Sequence, residues 1–473
     1  MEKALYLNGN WVKAGEYTGL YSPYDGEFLA NIPVASAGQM EEAIQFAKNA
    51  ETSMKQLTSL EKSNILLQIC DQFEHRKEEA ARIIVKETAK PMKFALAEID
   101  RTIETYRFAA EEVKRLAGEL VPMDAAKNGA NKFAYTLHEP IGTVAAITPF
   151  NFPQNLVAHK VGPAIAAGNP VILKPASQTP LSALFLAELI HNTELPKGAF
   201  QVLTGSGSQI GDYLVLHEDI KMITFTGSPE VGKSIKMKAG LKRVSLELGS
   251  NAGCIIDTEV DLPAIAKKCI VGAFSNQGQV CISLQRTYVM EDSYQPFIDE
   301  FKKLTKALKI GNPLSLETDI SAMINKKETQ RAKAWIDEAV NLGATIEYGG
   351  EIINEVLQPT ILANVPSEAR ISCQEAFAPV VIINKISTVE DGISEINNSI
   401  YGLQAGIFTN NISKALKASK SLQVGGVIIN DIPTFRVDQM PYGGVKNSGT
   451  GREGIKYALE EMTEMKLVVW NEG

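Results

Sequence analysis

The sequence predicts an α/β protein built on parallel sheets, and three observations carry that expectation. From about residue 133, short apolar runs alternate with helical segments. GTVAAIT (142–148), PVIL (170–173), AFQVLTG (199–205) and MITFTG (222–227) are each followed by a helix, the rhythm of a parallel sheet with helices on its faces. Gly- and Ser-rich turns close these runs at their carboxyl ends, where such sheets bind nucleotides. A second mixed region, from CIID (254–257) to about 440, repeats the alternation with RTYVM (286–290), PVVIIN (379–384) and GVIIN (426–430).

Residues 36–117, ahead of the first sheet, read as helices. Ser36 followed by Gln39 has the form of a capping box. Ile65, Leu66, Ile69 and Phe73, then Ile83, Ile84 and Val85, keep apolar residues at helical spacing. No repeat, low-complexity tract or linker separates these regions, so interleaved units are expected. A chain of 473 residues is too long for one core, and two or three compact units follow.

Composition excludes several function classes. Hydrophobic residues make up 45% and charged residues 22%, ordinary for a globular protein, and the net charge is −8. That mild acidity argues against a nucleic-acid partner, which needs a basic face. MEKALYLNGNWVKAGEY lacks the apolar region of a signal peptide, and no apolar run nears the roughly 20 residues that span a bilayer. The five cysteines, at 70, 254, 269, 281 and 373, are widely spaced with no CxxC pair. No metal site or disulfide framework is expected, and a reducing compartment, the cytoplasm, fits best.

Residues 227–234, GSPEVGKS, match the phosphate-loop pattern G-x-x-x-x-G-K-[ST] after a predicted strand. CIID resembles the strand-plus-aspartate element that holds magnesium in such enzymes. An ATPase or GTPase working through Gly227–Ser234 is therefore an alternative. Three things count against it. The pattern falls in the fourth β-α step, Pro229 removes an N–H from a loop that works through its N–H groups, and the next constellation stays unexplained. The plainer reading is that Gly227 and Ser228 open a helix whose N-terminus faces a dinucleotide. A second cluster, GSGSQIG (205–211), departs from the usual dinucleotide fingerprint.

Three residues have the chemistry of a nucleophilic site. Cys281 lies in FSNQGQVCISLQR (274–286), Glu247 in VSLELGSNAG (244–253), and Asn151 in the proline-flanked turn ITPFNFP (147–153). Singly, each also reads as a buried thiol, an end-of-strand carboxylate or a turn asparagine. Together with KPASQTP (174–180), FTGSPEVG (225–232), QEAFAPV (374–380) and PYGGVKNSG (441–449), these stretches resemble the aldehyde dehydrogenase superfamily, in order and over nearly the whole chain.

The resemblance implies roles. Cys281, as thiolate, would attack the aldehyde carbonyl to give a thiohemiacetal, then a thioester. The Asn151 amide and the Cys281 N–H would bind the oxyanion, and Glu247 would activate the hydrolytic water. For NADP or NAD it implies Thr148, Pro149, Phe150, Lys174, Ser177, Gly207, Gly211, Thr226, Gly227, Ser228, Val231, Leu248, Gly249, Glu375 and Phe377. Ser177 stands where NAD-preferring members often carry glutamate, so a 2′-phosphate is tolerated.

For the substrate the resemblance points to a funnel carrying Arg286, Arg436, Arg101, Arg107 and His159, where guanidinium groups would hold an anionic tail. CISLQR and NDIPTFRVDQMPYGG look most like the branch handling lactaldehyde, phosphonoacetaldehyde and sulfolactaldehyde, near non-phosphorylating glyceraldehyde-3-phosphate enzymes. Succinate semialdehyde is the alternative. The implied architecture is a Rossmann-like coenzyme domain (1–121 and 141–248), an α/β catalytic domain (249–445), and an oligomerisation flap with a C-terminal tail (122–140 and 446–473). The flap is expected to pair with MKLVVW (465–470) of a neighbour in a dimer or tetramer.

Overall fold

The computed structural model describes residues 2–472. The stretch read as helical holds four helices, Ala37–Gln56, Ser59–His75, Lys77–Thr88 and Met92–Glu112. Ser36 and Gln39 form the expected capping box, and Thr58 with Glu61 forms a second. The apolar stripe Ile65, Leu66, Ile69 and Phe73 is buried against the Met92–Glu112 helix and the helices flanking the first sheet.

That sheet has eight strands. Five are parallel, in the order Phe200–Val202, Val171–Lys174, Val144–Ile147, Met222–Thr226 and Arg243–Glu247. Winding proceeds outward in both directions from Val144–Ile147, so the direction reverses between it and Met222–Thr226. In a doubly wound sheet this reversal opens a crevice beyond the carboxyl ends of the strands, and ligands bind there. Leu5–Leu7 and Asn10–Val12 extend one edge, and Glu16–Tyr21 pairs with Phe28–Val34 as a separate hairpin. Sequence reading placed no strand before residue 36, because these elements are short and half of their positions face solvent.

A seven-stranded sheet carries the second region, with Arg286–Met290 and Gly253–Ile256 at its centre. Its strands are parallel except at the Thr345–Tyr348 edge. The C-terminal stretch divides. Gly449–Thr450 pairs with Glu247 and Leu246 on the first sheet. Helix Ile455–Glu461 packs on the first unit's helices, and only Thr463–Asn471 joins the flap.

There the expectation is corrected: Thr463–Asn471 pairs antiparallel with Lys132–Pro140 of the same chain, not of a neighbour. Helix Ile455–Glu461 delivers the strand beside the flap, and the Arg243 guanidinium locks the corner by donating to the Glu461 and Thr463 carbonyls. Among the described residues no helix is long and apolar enough to cross a membrane, and no cluster of three or more metal-ligating side chains occurs.

Candidate active site

Cys281 is placed by a broken helix. After Leu262–Phe274 the backbone turns left-handed at Asn276, Gln277 and Gly278. A Cβ at Gly278 would meet the Ala378 carbonyl at 2.0 Å. Holding Gln277 at positive φ costs on the order of 1 kcal/mol, offset by its buried amide donating to Ala89 and Ala322 carbonyls. The turn aims Cys281 into the space between the two sheets, where it is half-buried.

Asn151 reaches the same space from the end of Val144–Ile147. Its amide donates to the Gln279 carbonyl at 2.9 Å, two residues before the thiol. The turn itself is stitched to helix Met92–Glu112. Lys90 donates to the Asn151 carbonyl at 2.6 Å and pairs with Glu98, and Glu98 accepts from the Gln154 and Asn155 N–H groups. Lys90 and Glu98 are both fully buried.

Glu247 ends Arg243–Glu247, one strand further along the same sheet, beyond Met222–Thr226. Neither carboxylate oxygen has a hydrogen-bond partner among the described residues. Burial, then the Glu453 carboxylate, push it well above the ordinary carboxylate range, opposed by Arg436, Lys160 and Arg452. A desolvated carboxylate without an internal partner is a stronger base than one in water, the character that activation of a water molecule requires.

Beside these groups lies a chain of buried charges that sequence reading identified only in part. Glu453 bridges Lys160 at 2.9 Å and Arg436 at 2.9 Å. Arg436 also lies 3.0 Å from His159 Nε2, and Asp438 joins His159 at 2.8 Å to Arg101 at 2.6 Å. Burial, and then the Arg436 charge, lower His159, so its ring is neutral at pH 7. Burial alone would raise Asp438, but His159 and Arg101 outweigh it and pull it down. Thus Arg101, His159 and Arg436 come together as expected. Asp438, Glu453, Lys160 and Tyr442 were missed, because nothing local marks a carboxylate or phenol that meets its partner only across the fold.

Two arginines lie elsewhere. Arg286 is spent inside the second sheet, donating to the Asn251, Glu395 and Ile396 carbonyls. The last two are the free carbonyls of helix Val389–Asn397, whose C-terminus attracts a cation. Arg107 pairs with Glu74 on the helical surface, both about half exposed.

The proposed cofactor residues line the crevice at the sheet's reversal. Thr148, Pro149 and Phe150 follow one strand, Thr226 and Gly227 follow its neighbour, and Leu248 and Gly249 follow Arg243–Glu247. Ser228 caps helix Pro229–Lys238 by accepting from the Val231 N–H. Gly207 and Gly211 lie on the first turns of helix Gly207–Leu216.

The polar and aromatic groups along this crevice suit a dinucleotide. Lys174 is buried, has the Pro175 carbonyl as its hydrogen-bond partner, and is pulled down to about 8 by burial. Glu375 accepts from the Ser250 N–H and is pushed up to about 7 by burial. A Cβ on Gly249 would lie 2.6 Å from the Glu375 carboxylate. Phe150 and Phe377 meet edge to face at 5.9 Å. Ser177 borders a cavity of about 310 Å³ with Gly205, Ser206 and Gln209, and no carboxylate lies at position 177 to repel a 2′-phosphate.

The phosphate-loop reading is overturned here. Residues from Pro229 onward are helical, Gly232 N–H bonds back to the Ser228 carbonyl, and Lys233 faces solvent. The loop therefore has no set of free N–H groups to wrap a triphosphate.

Comparison with known proteins agrees with this geometry. The sequence model of the aldehyde dehydrogenase family matches residues 11–468. The chain is 46% identical to 3-sulfolactaldehyde dehydrogenase of Priestia aryabhattai, over 99% of this chain and 98% of that one. It is 39% identical to lactaldehyde dehydrogenase of Methanococcus aeolicus, over 99% and 100%. Among solved structures, aldehyde dehydrogenase 21 from Physcomitrella patens, in complex with the reaction product succinate, superposes with a TM-score of 0.98 at 40% identity, covering 100% of this chain and 98% of that one. With the family model matching residues 11–468 and relatives similar over the full length, the chain is an oxidoreductase that belongs to the aldehyde dehydrogenase family.

Proposed function

We propose that the protein oxidises a small aldehyde bearing a hydroxyl or anionic group to its carboxylic acid, with NADP or NAD as oxidant. The observation that carries this reading is the convergence of Cys281, Asn151 and Glu247 beside the buried Arg436. Cys281 adds to the carbonyl carbon as thiolate. The carbonyl electrons move onto oxygen, which faces the remaining N–H of the Asn151 amide and the Cys281 N–H. A bound nicotinamide would supply the hydride acceptor, and loss of hydride from the adduct would leave a thioester on Cys281. Glu247 takes a proton from water, the hydroxide oxygen bonds to the thioester carbon, the C–S bond breaks with its electrons on sulfur, and the acid leaves with Cys281 restored. Lys174, Ser228 and Glu375 would hold the cofactor's ribose and pyrophosphate groups.

Arg436 supports the choice of substrate class. Its side chain is 6% exposed, and its Nε has no partner among the described residues. A guanidinium with a free donor in a dry site favours a sulfonate, phosphate or carboxylate tail. Both curated relatives named above act on 2-hydroxyaldehydes, and the solved relative holds a dicarboxylate product.

The proposed assembly is a homo-oligomer, dimer or tetramer, formed through the flap. Phe133, Leu137, Leu467 and Trp470 are exposed on a three-stranded ribbon whose outer strand has an open edge, an arrangement that a second copy would cover.

The test is reduction of NAD and NADP against lactaldehyde, sulfolactaldehyde, phosphonoacetaldehyde, glyceraldehyde-3-phosphate, succinate semialdehyde and propanal. Anionic aldehydes are expected to exceed propanal by about tenfold or more in kcat/KM, a difference of about 1.4 kcal/mol. Equal rates with propanal would refute the substrate class, and no turnover on any substrate would refute the reaction.

A further inference from the structure

Tyr442 lies in PYGGVKNSG (441–449). The ring is buried among Val280, Ile282 and Leu403, with Phe152 and Cys281 against it. Its hydroxyl oxygen is 2.9 Å from Cys281 Sγ. Over the ring face, the Arg436 guanidinium carbon sits 3.8 Å from the ring centroid. Arg436 is fixed there by Glu453 and His159. The phenol thus touches the sulfur through its hydroxyl and the guanidinium through its ring face.

We propose that Tyr442 is a further catalytic residue, whose hydroxyl, held under Arg436, donates to the Cys281 sulfur and stabilises it as the attacking thiolate. The inference rests on Cys281 being the nucleophile. Hydroxyl hydrogens rotate, so the phenol accepts from the resting thiol and donates once the sulfur is charged. Ionisation breaks the S–H bond, releases the proton to water and leaves the electron pair on sulfur. Attack then forms the S–C bond, the sulfur loses its charge, and the phenol hydrogen bond weakens.

The surroundings make such a donor necessary. Burial pushes the Cys281 thiol up, Glu375 and Glu247 push the same way, and together with the groups that oppose them they leave it at about 11. Among the charged and titratable groups facing the sulfur, the Tyr442 hydroxyl and Arg436 act in the opposite direction. A cation on the ring face draws electron density from the phenol, which makes its O–H a stronger donor. Hydrogen bonds to ions are stronger than those to neutral groups, so the thiolate gains more than the thiol.

Tyr442→Phe keeps the ring and removes the hydroxyl. The rate of Cys281 alkylation by iodoacetamide would be measured against pH by peptide mass spectrometry. The exposed Cys373 of the same chain serves as internal reference. The Cys281 midpoint is expected to rise by about one pH unit, an approximately tenfold loss of thiolate below it, while the Cys373 profile stays put. Superimposable Cys281 profiles in a folded variant would overturn the proposal.

If Tyr442→Phe fails to fold, Arg436→Gln, which keeps a planar group over the ring, is expected to move the midpoint in the same direction. An unmoved midpoint there would overturn the proposal as well. Failure of the underlying reading looks different: wild-type protein alkylated at Cys281 would still turn over aldehyde.

Discussion

Lys90→Met tests how the Asn151 turn is held in place. Methionine keeps most of the stem volume but removes the ammonium that pairs with Glu98 and donates to the Asn151 carbonyl. Glu98 would be left as a fully buried carboxylate supported by two backbone N–H groups. Breaking one side of a buried pair costs ~3–5 kcal/mol, because the remaining charge stays desolvated. Adding Glu98→Gln removes that stranded charge, so the double variant should recover ~1–3 kcal/mol relative to Lys90→Met.

Stability alone would not establish the functional link. The Asn151 carbonyl keeps only the longer 3.3 Å contact from Asn276, so the turn loosens next to the reacting carbonyl. A displacement of about 1 Å is worth about a hundredfold in rate, and kcat should fall by about tenfold to a hundredfold with little change in KM. The assays are thermal unfolding and steady-state turnover of both single variants and the double variant. Strictly additive stabilities, or an unchanged kcat in a folded Lys90→Met protein, would refute the argument that the pair couples to Asn151.

Two further outcomes follow from the site. Glu375 is raised from 4.5 to about 7 by burial, so the folded chain holds this proton more tightly than the unfolded one. Stability from this residue is therefore full below about pH 4.5 and is lost as pH rises through about 7, by about 3 kcal/mol at most. Glu375→Gln cannot ionise, so thermal unfolding of the cofactor-free protein should gain on wild type across that window, and parallel profiles would contradict this. Arg286 and Arg436 should also separate. Arg286→Met leaves carbonyls unpaired at ~1–3 kcal/mol each and lowers the melting temperature, without altering the kcat/KM ratio of sulfolactaldehyde to propanal. Arg436→Met should depress that ratio by about tenfold, and the reverse pattern would exchange the roles assigned to the two residues.

Local chemistry made much of this protein legible in its sequence. Period-2 and period-3.6 patterning marked the central strands of both sheets and the helices ahead of them, and the capping box at Ser36 marked where the first helix starts. Cys281, Glu247 and Asn151 stood out because each lies in a short motif whose order along the chain could be compared as a whole. Tertiary structure alone decided what the long side chains do. Arg286 and Arg436 are the same residue in similarly polar stretches, yet one ties off a helix C-terminus and the other lies over Tyr442. Lys160 and Glu453 meet across 293 positions, with no local pattern to announce the pair. The partner strand of the flap was decided the same way, by where helix Ile455–Glu461 ends in space. The physical reason is common to all of them. Periodicity records which face of an element is buried, whereas a buried charge is set by the group it meets, and in this fold that group comes from a distant part of the chain.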